Sequence, residues 1–254
     1  MDFALMQRVL PFFLEAAWVT VQISALALIL GLAVAAILVA GRLSRSPILR
    51  GLAAAYVSVF RGTPCLVQLF ILYFGGPQIG INLEPFAAGV IGLGLNIGAY
   101  MSESIRGAIQ SVDRGQSEAA RSIGFGRGQT MRFVVLPQAA RLMIRPLGVN
   151  AIALLKGSAL VSTISVVELT YTAQRFIGST YKPFEIFGVA AVLYMIIIYI
   201  VARGVDLLDK ASRRSEGGLD ASSRFQHRHS LYGSASDRPL VDAGSDRRLR
   251  ILKL

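Results

Sequence analysis

Residues 117–137 read SEAARSIGFGRGQTMRFVVLP, a polar and basic helix-forming segment set between two long apolar runs. Glu118, Ala119, Ala120 and Arg121 predict a short helix whose small residues lie together. Gly124 is placed to end it, since glycine takes the positive φ of a helix C-terminus without a Cβ penalty. Gly126 and Gly128 loosen the turn. A second short helix over 129–135 then runs into Leu136-Pro137, where proline either stops it or opens the next element. Physics leaves two readings of equal weight: a helix-turn-helix knuckle projecting into the cytosol with an alanine face for another protein, or an amphipathic helix lying on a membrane.

The composition around this segment decides the class. The chain has 254 residues, 54% hydrophobic and 16% charged, which is too apolar for an ordinary soluble domain. A net charge of +11 raises nucleic acid as a partner. The basic residues instead flank apolar spans or fill the C-terminal tail, with no stripe of interleaved aromatics, so nucleic-acid binding is not expected. Cys65 is the single cysteine, which excludes an internal disulfide and a multi-cysteine metal cage. His227 and His229 are the only histidines, and two ligands fall short of a metal site, so none is expected.

The pattern predicts an all-α polytopic membrane protein with five transmembrane helices. Residues 1–15 read as an interfacial segment with Pro11 as an early break, and 16–210 as the transmembrane domain. Span 1 covers 16–40, far too long for a signal-peptide core of about 7 to 15 residues, and long enough for a bilayer that needs about 20. Span 2 covers 52–74, span 3 begins near Phe86, span 4 covers 147–169 and span 5 covers 186–205. The loop between spans 3 and 4 extends over 113–146. Beyond about Ala211 the chain turns to Ser, Arg, Asp and Gly, which predicts a disordered tail over 211–254. Lys and Arg number three in the first loop, seven from Arg106 to Arg145 and eleven from Arg203 onward. Three fall on the opposite side (Arg8, Arg175, Lys182) and two inside spans (Arg61, Lys156). The N-terminus is therefore expected outside and the C-terminus in the cytoplasm.

Charged groups inside spans need a partner or an aqueous path. Arg61-Gly62-Thr63-Pro64 interrupts span 2, and irregular backbone at that depth survives only in protein or beside water. It reads either as a broken helix at a translocation path or as a buried arginine paired for assembly. Lys156-Gly157-Ser158 repeats the motif of charge beside glycine and predicts a second hinge. A Ser158-Lys156 hydrolytic dyad is disfavoured, because residues two apart on a helix face different ways. Glu168 is placed to meet a cationic substrate or to pair with Arg175. Glu103 and Arg106, three apart, predict a local ion pair.

Glu118-Ala119-Ala120, three residues, Gly124, nine residues and Val134-Val135-Leu136-Pro137 resemble the EAA loop of the membrane subunits of bacterial ABC importers, with Val134 where isoleucine is usual. Phe60-Arg61-Gly62-Thr63-Pro64, Leu66-Val67-Gln68-Leu69-Phe70, the run Arg106 to Val112, and Glu168-Leu169-Thr170 narrow the likeness to polar amino acid permeases of the histidine, glutamine and arginine type. The likeness covers about residues 5–210. One departure is Lys156-Gly157-Ser158-Ala159-Leu160, where many relatives read Lys-Asp-Thr-Ser-Leu, so Lys156 lacks the usual carboxylate neighbour.

The resemblance implies a type I ABC importer permease fold in the bacterial inner membrane, with Glu118, Ala119, Ala120, Gly124, Leu136 and Pro137 coupling it to a separate ATPase. It also implies a second permease copy or homologue, an extracytoplasmic solute-binding protein and a polar amino acid as substrate. Arg61, Gly62, Thr63, Pro64, Lys156, Ser158 and Glu168 are the candidates for the path. No G-x-x-x-x-G-K-[ST] phosphate loop occurs, so ATP is expected on the partner, and this chain is expected to hold no cofactor and not to be an enzyme. The competing reading is a self-contained, ion-coupled secondary transporter, whose paired repeats five spans do not supply.

Overall fold

A computed structural model describes residues 2–232, with side-chain environments through Arg213. The described residues up to Lys210 form one compact unit, and those from Ala211 onward are set apart from it. Helices α1 (Phe3–Leu43), α2 (Pro47–Gly62), α3 (Cys65–Phe70), α4 (Pro85–Gln110), α5 (Arg114–Ser122), α6 (Arg127–Thr130), α7 (Leu136–Gly157), α8 (Leu169–Thr180) and α9 (Pro183–Tyr232) follow in order. Among the described residues there is no strand. Four helical runs among the described residues are long and apolar enough to cross a membrane. A fifth span results if α2 and the helical run Cys65–Ile79, bent by 104°, are taken as one.

The break expected at Pro11 does not occur. Pro11 sits inside α1, which runs unbroken from Phe3. Val9, Phe13 and Ala16 are buried against Leu169 and Ala173 of α8 and Ile186, Val189 and Ala190 of α9. Packing on one face holds the helix through the proline, whose missing N–H costs a single bond. Asp2 caps α1 by accepting from the Leu5 N–H at 3.0 Å, and it also accepts from Lys182 Nζ at 2.7 Å. That Lys182 hydrogen bond holds the Asp2 carboxyl below the usual carboxylate range.

The main core lies between α1, α3, α4, α7 and the 3-10 turn after α7, with Ile23, Leu69, Met101, Leu154, Val161 and Ile164 at its centre. Helices α1 and α4 make the most extensive pairing, and glycine sets how closely they approach. A Cβ on Gly31 would lie 3.2 Å from the Gly94 carbonyl oxygen, and one on Gly98 would lie 3.1 Å from that of Gly31. Small residues let backbones meet where lipid supplies no hydrophobic drive. Gly98→Val is expected to cost about 1–3 kcal/mol by overpacking, read as a lowered melting temperature of the detergent-solubilised protein.

The fourth span starts earlier than the sequence predicts. From Arg127 a helical run reaches Ile164, and Pro146 lies within α7 instead of closing the preceding loop. Ala139 and Leu154 are buried on either side of that proline, so packing again carries the helix across. Span 4 then stops short of its predicted end at 169. The α-helix gives way to a 3-10 turn over Ser158–Ile164, Ser165 adopts a left-handed conformation (φ 67°), and α8 begins a separate element at Leu169.

The last helix also departs from expectation. Helix α9 extends to Tyr232, past the point where a disordered tail is predicted to begin. Once a membrane-length helix exists, each further residue adds propagation without a new nucleus. Residues 233–254, the remainder of the predicted tail, lie outside the described residues.

Candidate functional site

The first helix of the knuckle and its glycine stop form as the sequence predicts, whereas the second helix starts earlier, at Arg127, and takes in Gly128. Asp113 caps α5 by accepting from the Gly115 N–H at 2.6 Å. At the other end Gly124 sits at φ 93° and donates to the Arg121 carbonyl (3.0 Å), while Phe125 donates to the Ala120 carbonyl (3.0 Å). This pair of bonds closes a Schellman motif, whose left-handed residue needs glycine. Ala120 is buried, whereas Glu118 and Ala119 face outward. Ile123 and Phe133 are 76% and 60% exposed, giving the knuckle an apolar outer surface that sequence reading did not single out.

Helix α6 enters a π turn at Met131–Val135, and α7 opens with Leu136-Pro137, both exposed. A second π turn, Ile71–Gly75, also ends just ahead of a proline, Pro77. A proline cannot bond the carbonyl four residues back, and the wider turn absorbs that loss. Val135 and Ala139 are buried with Val39 of α1 and Ile109 of α4, so the knuckle rests on the ends of two spans. Gln138 binds it further, donating to the Val134 carbonyl and to Gln116 of α5.

The interruption at Arg61-Gly62-Thr63-Pro64 is a true break. Helix α2 ends at Gly62, Thr63 and Pro64 are extended, and α3 restarts at Cys65. The residue before a proline is driven out of the α region. The freed backbone is met by amides: Gln68 Nε2 donates to the Phe60 carbonyl (3.0 Å) and Thr63 Oγ1 (2.7 Å). Asn96 of α4 donates to the same Phe60 carbonyl (3.2 Å) and to Gln68 Oε1 (3.0 Å). Neither amide was a candidate from sequence, although each stood out as a polar residue within an apolar span.

Arg61 is exposed and lies 5.3 Å from the centroid of the Tyr100 ring. It is not the buried, carboxylate-paired arginine of the alternative reading, and its contact is a cation–π pair. The nearby carboxylate is Glu103, which pairs with Arg106 at 2.7 Å, as predicted, and also reaches Arg42 of α1 at 3.6 Å.

Lys156 ends α7 exposed, with no ion pair among the described residues. At Ser158 the helix tightens from α to 3-10, so a change of helix type occupies the predicted hinge. Ser158 is fully buried and donates to the Leu155 carbonyl at 2.7 Å, away from Lys156. That geometry gives a Ser-Lys dyad no support. The two irregular segments meet: α3, leaving the first break, packs against the 3-10 turn that follows the second, with Leu69, Val161 and Ile164 in one core.

Glu168 corrects a sequence expectation. It is fully buried and points into the protein, neither toward a passing cation nor to Arg175. Its Oε1 accepts from the Tyr171 N–H (2.8 Å), capping α8, and its Oε2 accepts from the Tyr194 hydroxyl of α9 (2.7 Å). Thr20 of α1 accepts from the neighbouring Leu169 N–H at 3.3 Å. The carboxylate ties α8 to α9, and the adjoining Leu169 N–H ties the same turn to α1, a role whose partners are invisible in local sequence.

Membrane-length helices, a capped polar knuckle and two meeting helix breaks are the construction of a polytopic membrane protein with a discontinuous interior. Comparison with known proteins makes this specific. Residues 10–214 match the family described as binding-protein-dependent transport system inner membrane component. The probable amino-acid ABC transporter permease protein PatM of Vibrio harveyi is 40% identical over 205 residues, 80% of this chain and 92% of that one. The nopaline transport system permease protein NocM of Agrobacterium fabrum is 37% identical over 219 residues, 82% of this chain and 91% of that one. The crystal structure of an amino acid ABC transporter with histidines superimposes with a TM-score of 0.80 at 36% identity, over 83% of this chain and 99% of that one. The MetNI methionine ABC transporter, at 20% identity and TM-score 0.67 over 81% and 98%, shares the fold. The chain belongs to the family of inner-membrane components of binding-protein-dependent transport systems, a helical, multi-pass permease of the ABC importer type and not an enzyme.

Proposed function

We propose that this chain carries a polar or charged amino acid, or a derivative of one, inward across the bacterial inner membrane, driven by a separate ATPase subunit. The observation that carries the reading is the pairing of a rigidly capped, outward-facing knuckle with two helix breaks that pack on one another. The knuckle, through Glu118, Ala119, Ala120, Gly124, Leu136 and Pro137, offers the docking face for the ATPase. Arg61, Gly62, Thr63, Pro64, Lys156 and Ser158 stand at the breaks, where exposed cations without carboxylate partners suit a water-filled path. Glu168 supports that path by fixing helices and does not line it.

The partners are an ATPase that binds the nucleotide, a second permease copy or homologue, and an extracytoplasmic solute-binding protein that delivers substrate. The relatives named for amino acids and nopaline support the substrate class. The N-terminus is outside and the C-terminus in the cytoplasm, a topology that the distribution of Lys and Arg supports. In proteoliposomes, uptake of labelled arginine, histidine or glutamine is expected only with ATP, the ATPase and the binding protein all present. Uptake by the chain alone along an ion gradient would overturn this reading in favour of a secondary transporter.

A further inference from the structure

The path described above leaves one charged cavity unused. A cavity of about 490 Å³ opens between α1 and α8, within the size range of small-molecule sites. Its walls carry Glu15 from α1 and Arg175 from α8. Both are exposed, and neither makes an ion pair or hydrogen bond among the described residues. Phe12 and Phe176, with ring centroids 5.4 Å apart, also line it. An anion and a cation of opposite helices thus face one hollow and remain unjoined to each other.

The level of this hollow follows from α1. From Ala16 to Gly41 there is no Asp, Glu, Lys or Arg. That uncharged run is roughly 39 Å long at about 1.5 Å per residue, more than a hydrocarbon core of about 30 Å. Glu15 therefore lies at the boundary of the hydrocarbon, at the end of α1 opposite the arginine-rich loop of Arg42, Arg45 and Arg50. Trp18, one turn on and 63% exposed, belongs to the aromatic belt expected at that level.

We infer that this cavity binds a zwitterion, with its ammonium at Glu15 and its anionic group at Arg175. An ammonium between Phe12 and Phe176 also gains from the ring faces, and a carboxylate or phosphate suits the planar guanidinium. Two sources carry this chemistry at the outer boundary: a free α-amino acid arriving from outside, and the headgroup of phosphatidylethanolamine. Either ligand completes two charges that the chain leaves without partners.

The test uses the full chain in nanodiscs and reads binding alone, so its outcome is independent of the import reading. Labelled arginine, histidine and glutamine are tested by scintillation proximity, and retained phosphatidylethanolamine, phosphatidylcholine and phosphatidylglycerol by native mass spectrometry. Glu15→Gln and Arg175→Gln are each expected to weaken the bound zwitterion at least tenfold. Ser179→Phe, which fills the cavity without changing charge, should do the same, and the exchange Glu15→Arg with Arg175→Glu should restore part of the binding. Loss of amino acid binding assigns the site to solute, and loss of phosphatidylethanolamine assigns it to lipid. Binding unchanged in all variants, or retention of phosphatidylglycerol that depends on Arg175 but not on Glu15, overturns the proposal.

Discussion

Deleting residues 118–135 is expected to abolish ATP-coupled uptake while leaving membrane insertion intact. The knuckle is where the chain offers a partner both a shaped helix end and an apolar surface, at Ala119, Ile123 and Phe133. A finer change should act through shape alone. Gly124→Val places a β-branched residue at φ 93°, a conformation that costs about 1–2 kcal/mol for an L-residue. Since 1.4 kcal/mol is about tenfold in an equilibrium, uptake should fall by about that factor. Gly128→Ala, at a helical position with open space around the Cβ, is the matched control and should be close to wild type. Protease protection reports insertion, and substrate-stimulated ATPase activity of the assembled transporter reports coupling. ATP-coupled uptake that survives the deletion would refute the docking role.

Glu168→Ala is expected to be the most damaging single substitution for stability. It removes the acceptor for the Tyr171 N–H and the Tyr194 hydroxyl at a fully buried position. Each hydrogen bond contributes about 0.5–1.5 kcal/mol net, and each buried donor left stranded adds about 1–3 kcal/mol of desolvation cost. A loss of about 3 kcal/mol is expected, seen as a lower melting temperature and as faster hydrogen exchange in α8. Glu168→Gln keeps one acceptor oxygen and should lose about half as much. If Glu168→Ala instead left stability unchanged and altered substrate selectivity, Glu168 would belong to the path after all.

The parts legible from sequence were those with local causes. Gly124 closes α5 by bonds that span only five residues, and Pro64 breaks α2 through its effect on the residue before it. Glu103 and Arg106 pair within one turn of the same helix. The parts that escaped depend on distant partners. Glu168 is held by Tyr194, and the next residue, Leu169, reaches Thr20 across 149 positions. Pro11 and Pro146 read as boundaries because proline is a breaker in isolation, yet tertiary packing on their flanks carries α1 and α7 through. Gln68 and Asn96 brace the break from separate helices, so neither announced its role alone.

Helix α7 begins at the knuckle and finishes at the change of helix type beside Lys156, spanning 22 residues. At about 1.5 Å per residue that is a rod of roughly 33 Å. A pivot of about 5° at its inner end sweeps the outer end through about 3 Å, close to the step between neighbouring residues of an extended chain. On the proposed docking role, small strokes delivered at the knuckle would be geared up to the dimensions of the cargo, and shortening the rod by one turn would gear them down by about a sixth.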